Sequence, residues 1–484
     1  MIGAGPTGLT AAFELARAGT TPLVLEGSPH LGGISRTHLW NGNRIDIGGH
    51  RFYTKNQTVK RLWEDMMEEP MLKVPRLSRI FYKNRFYRYP LRFLDTLGNL
   101  GPWESFRMLL SYFKARLSPI NPEDSFQDWV INRFGERLFR AFFKTYTEKV
   151  WGISCSEIRA DWAAQRIHGL SFVTALLNSL RNSGTVKSLI STFDYPRLGP
   201  GMLWESAARK VREMGGTIEC GIAVTGIRIK ERSGAEIHYV RDGSKGVIQA
   251  DQVISTMPLS SLVMSLDPMP PPAVIEAAQG LKYRDFLIVV LTCSDADVFP
   301  DNWIYVHSTD VRVGRIQNFR NWSPEMVAPG TGTTLGMEYF CSKGDDLWEM
   351  EDAMLVELAK REALSLGLVD RENLGKEGHV IRQAKAYPVY DAFYKEHVYT
   401  LRGYLENFSH LQSAGRNGMH RYNNQDHSML AGYHAAMKLL GRTGIDPWEV
   451  NTERSYYEEQ ILSPDSRHSG MEILASEKAP PHEG

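Results

Sequence analysis

The chain has 484 residues, more than one hydrophobic core usually serves, so two or three structural domains are expected. Its 56 basic and 56 acidic residues cancel, which excludes a global field that would draw it to nucleic acid or to an anionic membrane. Hydrophobic residues make up 42%, the share of a globular chain, and no apolar run reaches the ~18 residues of a membrane span.

Only Met1 and Ile2 precede the first glycine motif, so the strand expected there is short, as if truncated or begun downstream of the natural start. Leu9 to Ala18 predicts a helix stopped by Gly19, and Pro22 to Leu25 a short buried strand ending at Glu26. From Asn56 to Ile190 the chain reads as mostly helical and aromatic, with helices over Val59–Met67, Glu104–Leu117 and Phe126–Phe143. Strand character returns from Gly215 to Ile229 and at Gln252–Ser255. A proline run at 268–272 reads as a connector. Beyond it a mixed sheet is expected over Tyr283–Tyr387, including a buried strand at Phe286–Cys293 and one long helix at Glu351–Leu366.

The predicted fold class is α/β: a Rossmann-type dinucleotide-binding domain in three pieces (1–55, 200–258 and 400–445). A mainly helical substrate or lid domain (56–199) and a mixed-sheet substrate domain (259–399) are inserted between them. The polar tail 464–484 is expected to be disordered. Four scattered cysteines, Cys155, Cys220, Cys293 and Cys341, show no metal-ligand spacing. They are expected as free thiols in a reducing compartment, and the expected location is cytoplasmic.

Gly3-Ala4-Gly5-Pro6-Thr7-Gly8 is the first chemical signal. In such a turn the first glycine allows the bend, the second admits a pyrophosphate against the backbone, and the third lets helix and strand pack closely. The helix that follows offers free N–H groups and the positive end of its dipole. Glu26, about 20 residues on, can accept ribose hydroxyls and disfavours a 2′-phosphate. Two further glycine pairs follow, in Gly32-Gly33-Ile34-Ser35-Arg36 and in Asp46-Ile47-Gly48-Gly49-His50. They suit a second close approach to a long, extended cofactor, which makes FAD a better reading than NAD.

With these residues the chain resembles the flavoproteins related to amine oxidase and protoporphyrinogen oxidase, and within them the UDP-galactopyranose mutases. The resemblance runs through Lys149-Val150-Trp151 with Arg166 fifteen residues on, and through Trp303-Ile304-Tyr305 with Arg315 ten residues later. It continues through Ala386-Tyr387-Pro388 to a final segment from Gly415-Arg416-Asn417-Gly418 by way of Tyr422 to Asn424-Gln425-Asp426-His427-Ser428. It implies a cofactor site of Gly3, Gly5, Pro6, Thr7, Gly8, Glu26, Gly32, Gly33, Ser35, Arg36, Gly48, Gly49, His50, Val224, Arg416, Tyr422, Asn424, Gln425 and Ser428. Arg166 and Arg315, the latter on a mobile loop, are implied to grip a substrate diphosphate. Tyr89, Trp151, Tyr305, Tyr387, Tyr422 and Asn424 are implied to line the substrate site, and no metal is expected.

The activity implied is a redox-neutral one, in which reduced flavin N5 attacks the anomeric carbon of a diphosphate-linked sugar during ring contraction or expansion. Arg76 and Ser78 resemble a stretch that holds NADPH or NADH as reductant. Leu91 and Arg92 stand where the mutases carry an aromatic and an amide that hold uracil, so the nucleotide, the sugar or the carrier is expected to differ. His50 is left with three readings: it tunes the flavin, donates to substrate, or caps a turn. An FAD-dependent oxidase or dehydrogenase is the alternative function, and self-association is left open.

Overall fold

The computed structural model describes residues 1–89, 91, 98–160, 187–230, 234–451 and 459–461. The expected disordered tail, Arg92 and Arg166 lie outside the described residues.

In chain order, α1 (Pro6–Arg17) and β1 (Leu23–Glu26) are followed by β2 (Ser78–Tyr82), β3 (Arg85–Arg88) and α2 (Pro102–Leu117). Then come α3 (Gly201–Glu213), β4 (Thr217–Cys220), β5 (Val253–Ser255), β6 (Tyr283–Cys293), β7 (Trp303–Val306), β8 (Arg315–Asn318) and β9 (Thr333–Cys341). The last are α4 (Asp352–Ser365), β10 (Leu374–Pro388), β11 (Leu411–Ser413) and α5 (Gln425–Leu439).

One layer is parallel. β4 pairs with β1 and β5 with β11, and Ile2 bridges the two pairs through Leu25 and Ser255. The short run before the glycines therefore occupies the middle of the layer, where a parallel sheet is buried on both faces. α1 packs against α3 and α5, and Leu9, Ala12 and Phe13 carry its contribution to the core.

The largest sheet among the described residues has seven strands in the order β10-β6-β9-β8-β7-β2-β3, antiparallel except where β7 meets β2. Alternation along β6 sends Phe286, Ile288 and Val290 to one core and Leu287, Val289 and Leu291 to another. α4 seals the second core with Leu355, Val356, Ala359 and Ala363. The first core is rich in aromatic residues and forms a wall of the cavity described below.

Three details depart from the sequence reading. Residues 72–88, expected within a helical stretch, form strands, two of which extend the seven-stranded sheet. The single helix expected over Phe126–Phe143 breaks at Gly135, whose φ of 82° is outside the helical range, and continues as short α and π turns to Trp151. Arg315, expected on a mobile loop, is the first residue of β8 and is paired on both sides. No described helix is long and apolar enough to cross a membrane.

Candidate functional site

A cavity of about 820 Å³ runs from the N-terminus of α1 to the face of the seven-stranded sheet. At one end Gly5, Pro6 and Thr7 open α1, and no side chain caps that helix. Gln425 and Ser428, in the first turn of α5, line the same end, so two helix N-termini converge there, a natural setting for a pyrophosphate. The Thr7 hydroxyl donates to the Ser428 carbonyl at 2.8 Å and locks the two helices together.

Gly5 and Gly33 face one another across the cradle, and a Cβ on Gly33 would come within 3.2 Å of the Gly5 Cα. Glu26 accepts from the Ala4 N–H at 2.7 Å and the Ser28 N–H at 2.9 Å while lining the cavity. Its carboxylate has about four acceptor positions, so two remain for ribose hydroxyls. The amide of Gln425 is buried, and both its polar atoms lack a partner among the described residues; so does the Asn417 Oδ1, also on the wall. Orphaned buried polar groups of this kind are costly unless a ligand satisfies them. These residues fit FAD.

At the other end, sheet register assembles a charged row. Tyr305 on β7 is opposite Arg315 on β8, and Arg315 is opposite Glu338 on β9. The Arg315 Nε donates to Glu338, and its Nη2 donates to the Tyr387 hydroxyl at 2.9 Å. Gln317 supports the same carboxylate through a 2.6 Å bond. Arg416 donates to the Ala386 and Asn423 carbonyls at 3.0 and 2.9 Å, with its guanidinium 4.1 Å from the Tyr422 ring centre. Tyr387 stacks on Tyr422 at 5.7 Å, and Trp151 flanks them. Burial pushes the Tyr387 hydroxyl up to about 12 and raises Tyr305 and Tyr146 as well. All three remain protonated donors near neutrality.

His50 also faces the cavity. Its Nε2 lies 2.9 Å from the Ile47 carbonyl, so that nitrogen carries a proton and the ring ties the Gly48-Gly49 turn. Burial, partly opposed by that bond and assisted by the charge of Arg416, pulls its pKa down to about 4. The imidazole is neutral at physiological pH.

Of the remaining positions read from the sequence, Gly3, Ser35, Arg36, Gly48, Gly49, Tyr89, Val224 and Asn424 line the same cavity. Gly8 and Gly32 stand behind its wall. Arg76 and Ser78 do not line it either: the Arg76 guanidinium lies 5.5 Å from the Tyr89 ring centre, and Ser78 is buried within β2. Leu91 is on the wall. Residues that the sequence reading did not single out are Glu338, Gln317 and Tyr146; Lys149 was named only as part of a motif, without a role. The Lys149 Nζ donates to the Ser308 and Val313 carbonyls and so pins the segment leading into β8. Glu338 had a visible signal, a lone carboxylate within the apolar run Thr333–Cys341.

Known proteins resemble the chain in sequence and in backbone. The family described as flavin containing amine oxidoreductase matches residues 6–367. Over 171 residues the chain is 30% identical to a probable UDP-galactopyranose mutase from Klebsiella pneumoniae, covering 33% of this chain and 42% of that protein. It is 27% identical over 171 residues to a dTDP-fucopyranose mutase from Escherichia coli, covering 33% and 43%. The chain thus spans less than half the length of these curated relatives. Its backbone resembles a crystal structure of reduced UDP-galactopyranose mutase, with a TM-score of 0.81 over 94% of this chain and 98% of that one, at 22% identity. The chain is a flavoprotein and belongs to the flavin containing amine oxidoreductase family.

Proposed function

We propose that the chain is an FAD-dependent mutase acting on a diphosphate-linked sugar. The observation that carries the reading is the sheet end of the cavity. Two guanidiniums, Arg315 and Arg416, and the hydroxyls of Tyr305, Tyr387 and Tyr422 meet there, on the same cavity as the FAD cradle. Guanidinium forks suit phosphate oxygens, and protonated phenols donate to them without adding charge. Reduced flavin would supply a nucleophile toward the anomeric carbon.

The chain's own share is positional and electrostatic. Arg315, held from behind by Glu338, and Arg416 bind the diphosphate as it gains charge on departure. Trp151, Phe286 and Trp303 wall the cavity and exclude water. His50, neutral, keeps the glycine turn in place without adding a third charge. Arg166 is proposed as a further diphosphate ligand, and NADPH or NADH as the reductant. Leu91, on the cavity wall, favours a carrier group other than uridine.

The test is anaerobic turnover of chemically reduced protein against a panel of sugar nucleotides, with isomers resolved by chromatography. Product from reduced but not oxidised protein, falling at least about 100-fold in Arg315→Ala, supports the reading. A second reading, an oxidase of apolar substrates, draws on the Phe126, Phe142 and Phe143 lining. It is favoured if a substrate bleaches the flavin with peroxide release and Arg315→Ala leaves that rate unchanged.

A further inference from the structure

α2 presents two apolar faces, and only one is packed among the described residues. Ser105, Met108, Tyr112 and Ala115 are buried. Met108 packs with Ile80, Tyr87 and Phe142, in a cluster that Tyr89, Leu91 and Tyr305 join from the cavity side. On the opposite side Trp103, Phe106, Leu110, Phe113 and Leu117 are 68, 52, 53, 57 and 87% exposed. Their spacing of three, four, three and four places them in one stripe, because each residue turns the helix by ~100°. Scattered exposed apolar residues need no explanation; a contiguous stripe of this length marks a contact surface.

We infer that α2 is a surface-seated helix that docks on an anionic phospholipid bilayer. Charge distinguishes this occupant from the others. At ~100° per residue, Arg107 and Lys114 flank the stripe on one side and Arg116 on the other. The helix's single acid, Glu104, is already engaged by Arg107 and Arg137. Lys114 and Arg116 have no ion-pair partner among the described residues. A second copy laid stripe on stripe would bring these cations together without acids to answer them. Anionic headgroups complement them, while Trp103, the two phenylalanines and the leucines enter the headgroup–acyl boundary. At 16 residues α2 is ~24 Å long, suited to lying in the interface and too short to span it. The whole chain is electrically neutral, so the attraction is local to this helix.

The experiment is flotation of the full FAD-loaded chain with vesicles of phosphatidylcholine containing phosphatidylglycerol, and with vesicles of phosphatidylcholine alone. The expected result is flotation with the anionic vesicles that weakens as salt is raised. In Phe106→Ser/Phe113→Ser it should fall at least about tenfold, with the flavin absorbance spectrum unchanged. Lys114→Gln/Arg116→Gln should reduce anionic binding several-fold and leave neutral vesicles unaffected, and it carries the test if the serine variant loses its fold. No flotation overturns the inference, as does flotation indifferent to both variants. A concentration-dependent dimer abolished by Phe106→Ser/Phe113→Ser, without flotation, reassigns the stripe to a second copy.

Discussion

Arg315 commits two of its nitrogens to the protein, Nε to Glu338 and Nη2 to Tyr387, and this fixes where the rest of its fork points. Removing the charge of Glu338 while keeping its shape should let the guanidinium reorient. We expect Glu338→Gln to weaken nucleoside diphosphate binding, measured calorimetrically, by about tenfold, with FAD content unaltered. Arg315→Lys should lose at least as much, since an ammonium cannot copy a planar fork. Asp46, beneath the Gly48-Gly49 turn, accepts from Tyr195 and Thr37, and burial pushes its pKa up to about 7 against those two bonds. The folded state therefore keeps a proton that the unfolded chain gives up near pH 4. Its stabilising share is complete below about pH 4 and is lost as pH rises toward 7. Urea titrations should show Asp46→Asn gaining on the parent by on the order of 2 kcal/mol between pH 5 and 8. A constant difference would refute this. Arg315 and Tyr387 were legible in the sequence because their motifs stand at fixed spacings. Glu338 showed only as a lone carboxylate in an apolar run and Tyr146 not at all, because what makes them matter is a distant partner, Arg315 on β8 for one and Tyr305 on β7 for the other.

Among the elements, α1 and α5 depend most on close approach. A Cβ on Gly432 would overlap the Thr7 carbonyl oxygen, and Thr7 in turn bonds Ser428. Gly432→Ala should separate the helices, lower thermal stability by about 1–3 kcal/mol and increase FAD loss on gel filtration. An unchanged melting temperature with full flavin content would show that the contact yields freely. The helix at 6–17, the strand at 23–26 and the helix at 352–365 could be read from periodicity and glycine stops. Ser78–Tyr82 and Arg85–Arg88 could not. Their basic and aromatic side chains carry no clean period of two, and the hairpin they form joins the sheet only where Ser78–Tyr82 pairs with β7, more than 200 residues away.

At the scale of the molecule, the cavity joins segments that lie far apart in the chain. α1, β1, residues 33–36 and 47–51, the seven-stranded sheet and α5 each contribute a wall. A ligand bridging them stabilises the whole by mass action, about 2.7 kcal/mol at 100 times its dissociation constant. FAD-free protein should therefore melt several degrees lower and recover when FAD is restored, as differential scanning fluorimetry would show.

The bond between Thr7 and Ser428, spanning 421 positions, also sets an order of events during synthesis. The glycine cradle leaves the ribosome some 421 positions before its opposing helix. A nascent chain halted before residue 411 lacks β11, α5 and Arg416, so it holds half a socket. Cofactor capture is then expected only after α5 has been made. Ribosome-stalled chains of increasing length should take up FAD abruptly, only once α5 has cleared the exit tunnel.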